Sequence, residues 1–488
     1  MKNSGVQLEN QPNCVPQLAR PPGFGVRHFQ SIMCFTCLVF AYGLRVNLSV
    51  AIVAMTDKKT ADSGIKVLPW DIAQKGVILS SMFWGYVILQ IPAGHMSRII
   101  GSKTMIFWSM VFCSIVTIFT PFISLNYDWL VFCFSRFLQG LGQGFLFPCL
   151  NTHISKWATP QERNRVVGFV YVGGQVGATL TMFVAGYLAA SSWRWPSIFY
   201  VTGSCGLLWA LMWLYVGADD PDSHSTISDG ERAYIKSSLV NSSDQSKKMK
   251  TPWRQIMTSV PVLALLASSF GQLWSYWTLV TMLPLYFGHV LGFDIKNNGL
   301  ISSLPFFMKT LLTIVFCCAA DFVISREFLS VWTSQRIWNS IALWGGAATL
   351  MGLPFVHSNA GAVVLLVSSL GCGAGIYPGY VSNHLDLAPN FAGLLLGITN
   401  GLGNISSILA PLVAGFVVTD ETSKEQWMVI FYICAATFFF GNLAFLMFGS
   451  AEVQPWNNTL EEIDKSPDEE NLSTQDDDIR DRRLAKVM

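Results

Sequence analysis

Apolar residues run for about 20 positions at a time along most of this chain, separated by short polar connections. Twelve such runs can be drawn: 29–55, 74–96, 103–124, 129–152, 166–190, 196–216, 261–288, 298–323, 337–356, 360–383, 391–418 and 427–449. An apolar stretch of about 20 residues is the length a helix needs to cross a bilayer. Backbone polar groups in hydrocarbon must be paired within the segment, so helices are the expected form. The short alternating strands of a membrane barrel are not seen. The pattern predicts an all-α membrane protein of twelve helices.

A repeat divides the pattern in two. Gly140-x-Gly142-x-Gly144 followed by Pro148 recurs as Gly371-x-Gly373-x-Gly375 followed by Pro378. Trp195-x-x-Ile198-Phe199-Tyr200 recurs as Trp427-x-x-Ile430-Phe431-Tyr432, and Ala185-Gly186 as Ala414-Gly415. All three keep nearly the same offset, which implies two parallel six-helix halves around a central site. The glycine string lies mid-span with no strand before it. It therefore reads as close helix packing rather than a dinucleotide loop. The predicted organisation is an N-tail (1–28), a first half (29–216), a cytoplasmic linker (217–260), a second half (261–449) and a disordered acidic tail (450–488). Within the linker, Ser228-x-x-Glu231 has the capping-box pattern of a short helix.

Composition agrees with burial in lipid. Charged residues make up 12% of the chain, against about one quarter in soluble domains. The net charge of +1 gives no reason to expect a nucleic-acid partner. With the N-terminus inside, inner segments hold 21 of the 31 basic residues and outer segments seven. That bias places both termini in the cytoplasm. The chain opens without a cleavable signal pattern. Its cysteines lie almost entirely in apolar runs, so no disulfide framework is expected. The sequons at Asn47, Asn241, Asn404, Asn457 and Asn471 fall in spans or cytoplasmic segments, and no glycan is expected on them.

Three basic residues remain inside spans: Arg45, Arg136 and Lys309. Charge at mid-bilayer costs about 2.5–3.5 kcal/mol on insertion scales and usually faces a cavity or a partner. Helical spacing puts Tyr42, Arg45 and Ser49 on one face. It likewise aligns Arg136, Gln139 and Gln143, and Ser302, Lys309 and Thr313. No span of the first half carries a carboxylate to pair with either arginine. Two readings stand for the arginines, coordination of an anion or a structural role. A guanidinium fork suits carboxylate or phosphate. Lys309 could equally snorkel toward an interface.

Gln272 and Tyr276 in span seven, and Asn400 and Asn404 in span eleven, give neutral polar faces. These suit a wet cavity, Na⁺ held by oxygens, or plain helix–helix bonding. Asn47 joins Asn400 and Asn404 as a cation-site candidate. Asp321, His384 and Asp386 sit at inner span ends, as gating candidates. The deep spans offer no carboxylate or histidine. Coupling to Na⁺ or to membrane potential is therefore favoured over a proton relay. No nucleophile–base set or metal-ligand cluster suggests an enzyme, and no cofactor is expected apart from Na⁺ as coupling ion.

Arg45-Val-Asn-Leu-Ser-Val-Ala-Ile-Val-Ala-Met55 resembles the first-helix signature of the anion–cation symporter family of the major facilitator superfamily. That family includes type I sodium–phosphate cotransporters, sialin and the vesicular glutamate transporters. Phe83-Trp84-Gly85-Tyr86 with Gln90-Ile91-Pro92, Arg136-Phe-Leu-Gln-Gly140, Ser155-Lys-Trp-Ala-x-Pro160-x-Glu162-Arg163, Asn383-His-Leu-Asp-Leu-Ala-Pro389 and Gly397-Ile-Thr-Asn400 match it as well. The resemblance runs from Arg27 to Trp456 and is nearest to insect-type inorganic phosphate cotransporters. It implies the twelve-helix major facilitator fold, anion transport, and substrate binding by Arg45 and Arg136.

Three positions depart from the relatives. Gln143 replaces the helix-four Glu of sialin and the glutamate carriers. Leu79 and Gln272 replace a His and an Arg of the glutamate carriers. The superfamily loop between Gly94 and Lys103 has Arg98 where an Asp is usual, while its second copy keeps Ala320-Asp321.

The expected function is alternating-access symport of a small anion, phosphate or organic, with Na⁺, by a monomer. The membrane would be the plasma membrane or a lysosomal or vesicular one. A proton-linked or facilitative carrier of acidic sugars or amino-acid anions is the alternative. A transporter-like receptor or scaffold is the alternative of another class.

Overall fold

The computed structural model describes residues 23–57, 66–246 and 251–458. Its described secondary structure is helical throughout. The first half comprises α1 (Val26–Thr56), α2 (Ile72–Ile100), α3 (Ser102–Asn126), α4 (Trp129–Trp157), α5 (Pro160–Ala190) and α6 (Pro196–Val216). The second comprises α7 (Val260–His289), α8 (Ile295–Ser325), α9 (331–351), α10 (Asn359–Leu387), α11 (Ala392–Val417) and α12 (Lys424–Phe448). A linker helix (Asp229–Ser246) lies between the halves.

Ten of these rods are, among the described residues, long and apolar enough to cross a membrane. The remaining two are α7 and α9. α7 is diluted by Ser268, Ser269, Gln272, Ser275, Thr278 and Thr281, all buried. α9 is interrupted by a π-turn at Ile341–Gly345.

Local sequence sets the helix ends. Asp71 accepts from the Gln74 backbone N–H at 2.7 Å, and Gln74 answers to the Asp71 N–H at 3.1 Å, a reciprocal N-terminal cap for α2. Ser358 and Ser330 cap α10 and α9 one-sidedly, their hydroxyls accepting from the Gly361 and Thr333 N–H groups. Pro160 and Pro196 open α5 and α6, where the missing N–H has no intrahelical partner to lose.

The repeated glycine strings mark breaks in two of the spans. α4 turns at Phe145, directly after Gly144. α10 passes through a 3₁₀ and a π segment between Gly373 and Val381, with Gly379 off helical geometry (ψ −122°). The first string also packs tightly. A Cβ on Gly140 would lie 1.8 Å from the Met82 carbonyl oxygen, and one on Gly144 2.8 Å from that of Tyr86. α2 and α4 therefore meet backbone to backbone.

Several boundaries differ from the sequence expectation. α2 continues through Ile100, so Arg98 is helical and the connection to α3 is a tight turn at Gly101 (φ 99°). Asp219 fills that turn, accepting from the Lys103 N–H at 2.8 Å and the Ser102 hydroxyl at 3.1 Å. The linker helix forms where the capping pattern places it, and the Glu231 N–H donates to Ser228 at 3.3 Å. The Glu231 carboxylate is used elsewhere. It accepts from Val26 N–H (3.0 Å) and Arg27 N–H (3.1 Å), so it caps α1. The Arg27 side chain lies 3.4 Å from Glu162 and 3.6 Å from Glu231.

The first residues of the segment expected to be disordered are docked. Gln454 N–H donates to the Leu387 carbonyl at 2.9 Å, and Asn390 N–H to Asn457 Oδ1 at 3.1 Å. Residues 459–488 lie outside the described residues, as do 1–22. Asn471 is therefore not described. Asn47, Asn404 and Asn457 are buried. The ten described cysteines are free thiols.

Candidate functional site

Helix spacing places Arg45 one turn past Tyr42, and the fold closes aromatic rings around it. Its guanidinium carbon lies 4.9 Å from the ring centre of Tyr42, 4.6 Å from that of Tyr86 and 5.5 Å from that of Trp277. Trp277 belongs to α7, so Arg45 stands where the halves meet. Its Nε donates to Gln143 Oε1 at 2.9 Å. Gln143 is fixed in turn, since its amide donates to the Ala41 carbonyl at 2.9 Å.

Arg136 lies deeper among α1, α2 and α4. It donates to Gln139 Oε1 at 2.6 Å and to the carbonyl of Arg45 itself at 3.3 Å. Gln139 reaches the Leu44 carbonyl (2.8 Å) and Thr117 (3.0 Å). The stripe of Arg136, Gln139 and Gln143 thus belts α1 to α4. The two arginines are 6% and 2% exposed. Among the described residues neither has a carboxylate within ion-pair distance, and neither has Lys309. A buried guanidinium without a counter-ion is held by polar oxygens and ring faces, an arrangement an incoming anion can improve.

The second cation approaches from the other half. Lys309 in α8 is 2% exposed, and its ammonium lies 4.3 Å over the Tyr276 ring. It does not snorkel. Tyr276 packs edge-on to Trp277, with ring centres 5.1 Å apart. Arg45 and Lys309 therefore rest on adjacent residues of α7. Ser302 and Thr313 share the buried face of Lys309.

Gln175 of α5 lies beside the hydroxyls of Tyr276 and Tyr377. Neither the Gln175 carbonyl nor the Tyr276 hydroxyl completes a hydrogen bond. Sequence reasoning missed Gln175, Tyr86, Trp277 and Tyr377. No charge marks them: Tyr86 and Trp277 show themselves by facing Arg45, and Gln175 and Tyr377 by their place near Tyr276. Gln272 is buried on α7.

The cation-site candidates divide. Asn47 donates to Thr202 of α6 at 3.0 Å. Asn404 donates to the carbonyl of Asn400 (2.7 Å) and to its Oδ1 (3.2 Å). Among the described residues no hydrogen bond joins Asn47 to the α11 pair.

The gating candidates divide as well. Asp321 is exposed. Asp386 accepts from Gln335 of α9, and Asn383 donates to Gln335 Oε1 at 2.8 Å. His384 lies in the last turn of α10, at the span end. It is buried, with Nε2 2.9 Å from Thr399 of α11 and Nδ1 3.0 Å from the Val381 carbonyl. His153 in α4 is buried too, 3.3 Å from Ser102. Both lay one residue beyond the spans read from hydropathy alone.

Comparison with known proteins shows the family of the chain. The family model described as "Major Facilitator Superfamily" matches residues 34–411. A Drosophila melanogaster protein named "Putative inorganic phosphate cotransporter" is 35% identical over 491 residues, covering 95% of this chain and 93% of that one. Human vesicular glutamate transporter 2 is 34% identical over 444 residues, covering 89% and 76%. Human sialin is 34% identical over 482 residues, covering 93% and 96%. Among solved structures, a bacterial homologue of the human lysosomal transporter Spinster superposes with a TM-score of 0.65 at 14% identity, covering 89% of this chain and 100% of that one. A D-xylose–proton symporter gives 0.63 at 17%, covering 87% and 100%. The relatives and fold neighbours are membrane transporters rather than enzymes. The chain is a multi-pass integral membrane protein of the major facilitator superfamily, and within it belongs to the anion–cation symporter family.

Proposed function

We propose that this protein is a secondary transporter of small anions, inorganic phosphate or an organic anion, coupled to Na⁺ and working by alternating access. The observation that carries the reading is Arg45. It is a buried guanidinium with no carboxylate partner among the described residues, held at the boundary of the halves by Gln143 and three aromatic rings. Lys309 supplies a second positive charge from the opposite half. Arg136 supports the site from beneath through the Arg45 carbonyl, which gives it a positioning role. The paired amides of Asn400 and Asn404 are the oxygen-bearing group best suited to Na⁺. The names of the relatives favour phosphate, glutamate and sialic acid as first compounds to try.

Uptake of an anion panel into proteoliposomes, with and without an inward Na⁺ gradient, tests the proposal. Saturable uptake that collapses when choline replaces Na⁺ is expected. Flux of no anion in either condition overturns it and favours a receptor or scaffold.

One observation favours a second coupling. His384 between α10 and α11 touches an acceptor on one nitrogen and a hydroxyl on the other. As imidazolium it donates to both while Thr399 keeps its bond to Leu395 (3.0 Å). As neutral imidazole it takes that hydroxyl away from Leu395. Uptake indifferent to Na⁺ but driven by a pH gradient would select this proton-linked reading.

A further inference from the structure

A pocket of about 540 Å³ opens where the start of α1, the end of α6 and the turn before the linker helix meet. Small-molecule sites run from about 300 to 1,000 Å³. Phe29 on its rim stands about 24 Å along α1 from Arg45, at 1.5 Å per residue, so the pocket is separate from the anion site. Its walls are pinned from behind. The Gln30 amide donates to the Val216 carbonyl at 2.9 Å, the Trp213 indole to the Lys103 carbonyl at 3.1 Å, and the Trp157 indole to the Ala218 carbonyl at 3.0 Å. A ligand therefore meets a preformed site and pays little to order it.

Two kinds of surface meet there. An apolar track leads in from the bilayer. Leu208, Leu211, Met212 and Tyr215 are exposed at i, i+3, i+4 and i+7, one face of α6, and Tyr215 ends the stripe 85% exposed at the pocket mouth. Phe29 and Ile32 form the matching exposed pair on α1. Inside, Lys103 brings a cation and Ser225 and Thr226 bring hydroxyls. The carboxylates nearby are already engaged. Asp219 takes the Lys103 N–H, Asp220 the Ser223 N–H at 2.9 Å, Asp222 the Lys236 ammonium at 2.7 Å, and Glu231 the start of α1. Among the described residues no carboxylate lies within ion-pair distance of the Lys103 ammonium.

We propose that this pocket holds the headgroup of an anionic glycerophospholipid, its phosphate on Lys103, Ser225 and Thr226 and an acyl chain along the exposed stripe of α6. A free phosphate would use the cation and the hydroxyls but not the apolar track, which is why a lipid is the occupant that fits. Tyr215 suits the boundary, since amphipathic rings settle at headgroup level. The bias of basic residues favours the cytoplasm for this face. The cytoplasmic leaflet is the one that carries anionic lipid.

The test is native mass spectrometry of the full chain in detergent, with phosphatidylserine or phosphatidylcholine of the same acyl chains added at equal concentration. The parent should retain phosphatidylserine several-fold better. Lys103→Ala should abolish that preference and Lys103→Arg should keep it. Arg254→Ala, at an exposed basic residue outside the pocket, should leave it unchanged. Equal retention of the two lipids by the parent overturns the proposal. So does a preference that survives Lys103→Ala, or one lost as fully in Arg254→Ala. Lys103 makes its hydrogen bonds to Asp219 and Trp213 through its backbone, so the alanine variant should fold. Should it fail to fold, Tyr215→Ala decides in its place: a several-fold loss of phosphatidylserine supports the site and full retention overturns it. Sodium phosphate without lipid is the second arm, read as melting temperature. Stabilisation equal to that by phosphatidylserine, and lost in Lys103→Ala, would mark a free-phosphate site and overturn the lipid assignment.

Discussion

The carbonyl oxygen of Arg45 accepts a hydrogen bond from the guanidinium of Arg136 at 3.3 Å. One embedded arginine therefore sets the backbone position of the other, and substitution should separate their roles. Hydrogen bonds to charged groups contribute about 1.5–3 kcal/mol. Arg45→Gln should reduce anion uptake about 10- to 100-fold with normal membrane delivery. Arg136→Gln should lower thermal stability as well as uptake, and Arg136→Lys should recover stability first. Melting temperature and initial uptake rate measured on the same preparations check both. Full uptake by Arg45→Gln would remove it from the site.

Gln143 faces Arg45 at 2.9 Å, where sialin-like relatives have an acid. Gln143→Glu would place a carboxylate against Nε of Arg45, which an amide now binds. Ionised, that carboxylate would compete with the anion. Protonated, it would act much like the amide. KM for the anion should therefore rise at high pH and return toward the parent value as pH falls. A KM of Gln143→Glu that stays pH-independent relative to the parent would show that Arg45 does not meet the anion.

Lys309 over Tyr276 supplies the charge of the second half. Lys309→Met keeps the length of the side chain and removes the charge. It should raise KM about tenfold, the effect of losing about 1.4 kcal/mol. Unchanged uptake kinetics would leave Lys309 a structural residue. Tyr276→Phe should have the smaller effect, because it preserves the ring face that the ammonium rests on.

The spans and the repeat were legible because a bilayer dictates run length, and because the halves share their glycines and tryptophans. Arg45 was legible because charge in an apolar run is rare. Local signals failed where a residue's partner is distant in sequence. Lys75 and Glu421 are separated by 346 positions, and nothing near either one announces the contact. Glu231 showed its helix-start pattern, yet its carboxylate caps a helix 205 residues away. The amides gave the weakest signal. Asn47 and Asn404 look alike in sequence, but one bonds to α6 and the other to its own helix.

The Glu231 carboxylate accepts two backbone N–H groups at the start of α1. Loss of a helix cap costs about 0.5–2 kcal/mol. Glu231→Ala should therefore destabilise the first half by roughly that amount and leave KM unchanged, since the site lies deeper along α1. Glu231→Gln should cost less, because its carbonyl still accepts. Thermal unfolding in detergent together with a KM measurement checks this. A change in KM without a change in melting would contradict it.

Glu421 gives the clearest pH signature outside the spans. Burial opposes its ionisation, but the contacts with His289 and Lys75 outweigh that and hold the carboxyl below its ordinary value of 4.5. A lowered folded-state value means the ionised form contributes stability above the unfolded-state value, and that this contribution is lost as pH falls through the folded-state one. The contact should thus keep its full strength at neutral and mildly acidic pH and weaken only below about pH 4.5. Glu421→Gln should lower the melting temperature at pH 7, by an amount matching about 1–3 kcal/mol for a partly buried charged contact. The difference from the parent should shrink as pH drops below about 4.5, where the parent carboxylate becomes protonated. A melting difference that persists undiminished at the acid end would mean that the Glu421 charge does not hold the two halves together.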